Sequence, residues 1–195
     1  MFFRFFRRVG IILGFIYYKL ITEGLENIPK EGAFLFCSNH ISALDPLAIT
    51  VALKRQPRFM AKVELFKFPP FAWFFRKLGA FPINRTGTDV EAYKKTINIL
   101  KSGQGMIIFS QGTRLKDFEG AKGGVALFAL KTGTPIIPAF IKSTYKFRSV
   151  VSIKIGEPIL MDKYKDMKIK TELIEEVMAI VTEKVNLLGA AGSAV

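Results

Sequence analysis

A single cysteine and a single histidine occur among the 195 residues. One cysteine excludes an internal disulfide, and one of each leaves no set of ligands for zinc, so neither metal nor resident cofactor is expected. Acid is scarce too: 16 Asp and Glu stand against 29 Lys and Arg, a net charge of +13. The uncharged N-terminal run, Val9 to Tyr18, is too short to cross a membrane. As a helix it would measure about 15 Å, half of a hydrocarbon core of about 30 Å. No small-residue cleavage site follows it, since Ile21-Thr22-Glu23-Gly24 does not supply one, which argues against a secretory signal. Neither a basic recognition helix nor an RNA-binding aromatic signature is present, so nucleic acid is set aside as a partner.

What is abundant is apolar. Half the residues are hydrophobic and 19 are phenylalanine. Basic charge interleaved with apolar side chains points to an anionic bilayer surface or a phosphorylated lipid. In a helix over 1–20, Arg4, Arg7 and Arg8 fall on one face, with Phe2, Phe5, Phe6 and Val9 mostly opposite, and Tyr17, Tyr18 and Lys19 are interfacial types. That pattern predicts a helix lying in the membrane interface; a helix packed on the protein's own core would share it. Leu65 to Phe75, with Pro69-Pro70 and Trp73, reads as a second interfacial patch, or else as a core helix kinked at its prolines.

The rest of the chain alternates strands and helices. Strands are expected at 33–37, 58–61, 81–85, 106–109, 136–141 and 150–155. Helices are expected from Pro46 to Leu53, from the Thr88-Asp89-Val90-Glu91 capping box to about Ser102, from Gly120–Gly124 to Lys131, and from Thr171 to Leu188. Gly103 and Gly133 stand where two of them should stop. The fold class is α/β: one mixed sheet covered by helices in a single domain over 21–188, with a loose tail at 189–195.

The one histidine sits in Asn39-His40-Ile41-Ser42-Ala43-Leu44-Asp45. Imidazole is suited to taking and returning a proton near neutrality, and a carboxylate beside it can fix its tautomer. On one continuous helix, positions five apart lie about 140° around the axis, so His40 and Asp45 meet only across a strand–turn–helix junction. Asp45-Pro46 reads as such a junction, an N-cap followed by proline at N1. The same residues would also serve a plain cap and a satisfied loop histidine. Cys37 reads as a small core residue, with a thiol nucleophile the other role its closeness to His40 allows.

Lys62, Arg85 and Arg114 all fall where strands end. Groups beyond the carboxyl ends of strands in an open α/β sheet converge on one crevice, and arginine suits phosphate because its fork binds two oxygens. In Gln111-Gly112-Thr113-Arg114 the glycine lets backbone N–H groups approach a ligand, where they would hold an oxyanion or phosphate; an ordinary glycine turn is the alternative.

Together these blocks resemble the glycerolipid acyltransferase family, specifically the lysophosphatidate acyltransferases. His40 through Asp45 matches its His-x4-Asp motif, and Phe81-Pro82-Ile83-Asn84-Arg85 its second block. Gln111-Gly112-Thr113-Arg114 is similar to its Glu-Gly-Thr-Arg block, with glutamine where the family usually has glutamate. Pro135-Ile136-Ile137-Pro138 looks like the fourth block, and Lys62 in Met60-Ala61-Lys62 also falls on a family position. The resemblance covers residues 20 to 160, with the blocks in the family's order.

It implies acyl transfer from acyl-CoA or acyl carrier protein to the sn-2 hydroxyl of lysophosphatidate, giving phosphatidate, as in phospholipid biosynthesis. His40 and Asp45, with Gly112 and Thr113, would be catalytic; Lys62, Arg85, Gln111 and Arg114 would bind substrate. The enzyme would be monotopic on the cytoplasmic face of an anionic membrane. Acylation of another lysophospholipid or of glycerol 3-phosphate, or a non-catalytic basic protein holding anionic lipid, are the competing readings.

Overall fold

The computed structural model describes residues 2–84, 90–109 and 123–191, and of 10–16 the backbone alone. Strands β1 (Tyr18–Glu23), β2 (Phe34–Ser38), β3 (Arg58–Lys62), β4 (Ala80–Ile83), β5 (Gly105–Phe109), β6 (Ile136–Lys142) and β7 (Ser149–Ile155) form one sheet in the order β1-β7-β6-β2-β5-β3-β4. Central β2 is buried at every position, and Phe34-Leu35-Phe36-Cys37 has no polar side chain. A strand covered on both faces must be continuously apolar, and this one is. Its alternate side chains feed two cores. Leu35 and Cys37 join one; Phe34 and Phe36 join the other.

Helices cover both faces. On the Phe34/Phe36 side lie α1 (Phe2–Tyr17), α2 (Asp45–Ala52) and α3 (Pro69–Lys77). On the other lie α4 (Val90–Lys101), α5 (Gly124–Thr132) and α6 (Thr171–Ala190). Phe34 and Phe36 are fully buried, each stabilising the fold by about 1.5–3 kcal/mol relative to exposure. Gly103 and Gly133 end α4 and α5 at φ of 76° and 64°, the left-handed region that favours glycine.

Strands β6, β2, β5, β3 and β4 run parallel to one another, while β7 is antiparallel to β6 and parallel to β1. The carboxyl ends Ser38, Lys62, Ile83, Phe109 and Lys142 therefore share one edge of the sheet. The starts of β1 and β7 come to that same edge from the opposite direction.

The expected strands and helices are present within a few residues wherever the chain is described; Thr88 and Asp89 of the capping box lie outside. Four readings away from the site need correction. The N-terminal helix stops at Tyr17, and Tyr18 to Glu23 form β1, an edge strand paired with β7. Arg7 does not share the outer face with Arg4 and Arg8; its Nε donates to Leu53 O at 3.0 Å. Pro69 and Pro70 begin α3 rather than kink it, the place where a missing N–H costs least. Helix α6 continues to Ala190, into the stretch read as a tail. It does so because Gly189 lies against β6: a Cβ there would stand 2.7 Å from the Phe140 ring.

Candidate active site

Strand β2 gives out at Ser38, and Asn39 anchors the turn beyond it. Its buried amide accepts from Ile141 N–H at 2.7 Å and donates to Ile141 O at 2.9 Å, while Ser38 Oγ donates to its Oδ1 at 3.1 Å. One side chain thus serves as a further rung between β2 and β6, and it fixes where the next residue, His40, leaves the sheet.

Asp45 is completely buried at the start of α2. Its Oδ2 accepts from His40 Nδ1 at 2.7 Å, Ile41 N–H at 2.7 Å and Ser42 N–H at 2.8 Å. Its Oδ1 accepts from the Tyr145 hydroxyl at 2.6 Å. The expected N-cap is corrected here: Leu44 is the cap residue, and Pro46 follows Asp45 inside the first turn. The carboxylate makes no cap hydrogen bond to α2 because both oxygens are directed back to the loop and across to Tyr145.

Burial pushes the Asp45 carboxyl up, but the hydrogen bonds from His40, Tyr145, Ser42 and Ile41 together outweigh it and hold the group below the usual carboxylate range. Burial and then Asp45 itself push the Tyr145 phenol well above its ordinary value, so it stays a donor. An ionised Asp45 can only accept. Nδ1 of His40 must then carry the proton, which leaves the Nε2 lone pair as the base. Among the described residues Nε2 has no hydrogen-bond partner. The ring stacks on Phe109, at the end of β5, with centroids 4.1 Å apart and planes at 20°. About a third of the side chain (31%) is exposed, enough to meet a substrate.

Beside the dyad lies an apolar cavity of about 310 Å³ between α1, α2, β1 and β7, walled among the described residues by Phe6, Tyr18, Leu44, Leu47, Tyr145 and Val151 with a few others. Tyr145 belongs to both features, its hydroxyl on Asp45 and its ring in the wall. Cys37 is fully buried and its thiol is pushed up to about 12, so it supplies no thiolate and the nucleophile option closes.

Of the residues singled out from sequence, the structure brings His40 and Asp45 together. Lys62 ends β3 with its side chain exposed, at the same edge but two strands away, about 10 Å by strand spacing. Arg85, Gln111, Gly112, Thr113 and Arg114 lie outside the described residues, in the connections that follow β4 and β5. Among the described residues no group of three or more His, Cys, Asp or Glu stands ready to hold a metal ion. Sequence reasoning missed Asn39, Phe109 and Tyr145. The first two flank recognised segments; Tyr145 carries no local signal.

Comparison with known proteins points to one family. A family model described as Acyltransferase matches residues 19–142. A 1-acyl-sn-glycerol-3-phosphate acyltransferase of Bacillus subtilis is 29% identical over 168 residues, 83% of this chain and 81% of that protein. One from Streptococcus pneumoniae is 33% identical over 73% of this chain and 56% of its own length. The chloroplastic enzyme of Arabidopsis thaliana is 32% identical over 67% of this chain, which spans only 38% of it. The crystal structure of the 1-acyl-sn-glycerophosphate acyltransferase PlsC from Thermotoga maritima superposes with a TM-score of 0.71 at 28% identity, covering 96% of this chain and 80% of that one. With an Asp-held histidine at the carboxyl edge of a matching sheet, and a family model spanning most of that sheet, the chain belongs to the acyltransferase family.

Proposed function

We propose that this protein transfers a fatty acyl group from a thioester, acyl-CoA or acyl carrier protein, to the sn-2 hydroxyl of lysophosphatidate. The observation that carries the reading is the His40–Asp45 pair, with Nδ1 committed to the carboxylate and the ring about a third exposed (31%). As the hydroxyl oxygen attacks the thioester carbonyl, Nε2 takes its proton. The carbon–sulfur bond then breaks, and the imidazolium returns the proton to the departing thiolate. Asp45 stabilises the imidazolium and keeps the ring turned. No covalent acyl-enzyme is needed.

Backbone donors at Gly112 and Thr113, with Lys62, hold the oxyanion, while Arg85 and Arg114 bind the phosphate and Gln111 the glycerol portion. The apolar cavity walled in part by Tyr145, the partner of Asp45, suits an acyl chain. The protein works as a monotopic enzyme on the cytoplasmic face of an anionic membrane. Phe2 of α1 meets Trp73 of α3 at 5.2 Å, so the two helices lie side by side. They leave Phe5, Phe68, Phe71 and Trp73 each more than half exposed. No described helix is long and apolar enough to cross a membrane.

Purified protein with labelled acyl-CoA and lysophosphatidate in mixed micelles should form phosphatidate, and His40→Ala should not. Replacing the acceptor by glycerol 3-phosphate or another lysophospholipid ranks the acceptors. No acylation of any of them would sink the reading and leave a lipid-binding protein.

A further inference from the structure

Tyr145 lies in the connection between β6 and β7, 100 residues beyond Asp45 in the chain. Its backbone has φ 52°, in the left-handed region a tyrosine rarely adopts, and such a conformation persists where the surroundings over-determine it. Here three contacts do so. Its N–H donates to Ser143 Oγ at 3.0 Å, its ring meets Tyr18 edge-on at 5.8 Å, and its hydroxyl reaches Asp45 Oδ1 at 2.6 Å.

The two oxygens of Asp45 are loaded unequally. Oδ2 takes three donors, and all of them come from the loop that carries His40. Oδ1 faces the other way and has Tyr145 as its one partner among the described residues. A buried carboxylate without that hydroxyl would hold a desolvated, unpaired oxygen, and rotation of the carboxylate to share its three remaining donors would weaken the bond to Nδ1.

We infer that Tyr145 is a positioning residue of the site: its hydroxyl pins Asp45 Oδ1 so that Oδ2 stays aimed at His40 Nδ1. Tyr145 acts through Asp45 and moves no proton itself. Tyr18 of β1 backs the ring, so the edge strand at one end of the sheet supports the dyad at its centre. The kinetic side of this inference rests on the acyl-transfer reading; the spectroscopic side does not.

The test is Tyr145→Phe, which removes the hydroxyl and keeps the ring. The control is Tyr164→Phe, which removes another tyrosine hydroxyl that donates to a carboxylate, Glu176 at 3.2 Å, on the far side of the sheet. Tyr145→Phe should lower kcat about tenfold with KM for both substrates within twofold, as expected when a charge-assisted hydrogen bond that orders the base is lost. Tyr164→Phe should leave both constants unchanged. Because the chain has one histidine, the His40 Nδ1–H proton can be followed alone by NMR, and its exchange with water should speed up about tenfold in Tyr145→Phe. A kcat within twofold of wild type, a loss carried by KM, or an equal loss in Tyr164→Phe would overturn the inference. If the wild type acylates nothing, the functional reading falls, and the exchange rate alone decides: no change in Tyr145→Phe overturns the role of Tyr145.

Discussion

The two edges of the sheet treat polar groups differently. At the edge where β2 and β5 begin, Arg55 donates to the carbonyl oxygens of Pro29 at 2.7 Å, Gly32 at 2.7 Å and Gly103 at 3.2 Å, and its guanidinium covers the Phe34 ring at 5.2 Å. Next to it, Arg58 Nε donates to Gln104 Oε1 at 2.7 Å. At the opposite edge, Asp45 is equally well held, with both oxygens filled. The chain of contacts there ends on His40 Nε2, which has no hydrogen-bond partner among the described residues, on a ring about a third exposed. A structural polar centre closes on itself. A centre proposed to react is built as tightly and left open at one point.

The largest effect expected at the open edge is that of His40→Ala. Turnover should fall by about a thousandfold or more, while thermal stability changes little, since the ring is partly exposed. Retained turnover would place the base elsewhere. Next is Asp45→Asn, which keeps the shape but turns one acceptor into a donor facing N–H groups. Turnover should drop by about a thousandfold, and stability by about 2–3 kcal/mol, because Asp45 is buried among donors.

Asp45 also predicts a pH dependence. Its folded carboxyl titrates below the unfolded value, which is near 4. The stability it contributes is therefore fully present above about pH 4 and is lost as pH falls through the lower folded value. Denaturant melts from pH 6 to pH 2 should show a shallower acid decline in Asp45→Asn than in wild type.

At the closed edge the expectation reverses. Arg55→Ala should cost about 2–3 kcal/mol in chemical denaturation, since three carbonyls lose a charged donor, yet leave kcat within twofold. A catalytic defect as large as that of Asp45→Asn would erase the distinction between the edges. Smallest is the effect of the paired change Phe71→Ala with Trp73→Ala on the surface of α3. It should weaken flotation with anionic vesicles about tenfold and spare turnover of a micellar substrate. Unchanged flotation would detach that surface from membrane seating.

Of the open edge, the His40–Asp45 pair was legible in the sequence because the two residues are five apart, and strand, turn and helix signals surround them. Asn39 lay beside them, but its role depends on Ile141, and nothing local shows that β6 is the neighbour of β2. Tyr145 was illegible for the same reason at greater distance: only the β6–β7 turn brings it to Asp45. Strand β1 was hidden differently. Tyr18-Lys19-Leu20-Ile21-Thr22-Glu23 follows the uncharged run from Val9 with no turn residue between, and Ile21 is an apolar residue at an exposed position, so the period of two is blurred. The pairing of β1 with β7 joins residues about 130 apart, which no window on the sequence reports. Arg55 carries no motif, since carbonyl partners leave no trace in the sequence.

The most direct measurement is the ¹⁵N spectrum of the single imidazole in its neutral form. One tautomer is expected, with the proton on Nδ1 and Nε2 bare. A proton on Nε2 would contradict it, since the atom assigned to take the hydroxyl proton would already hold one.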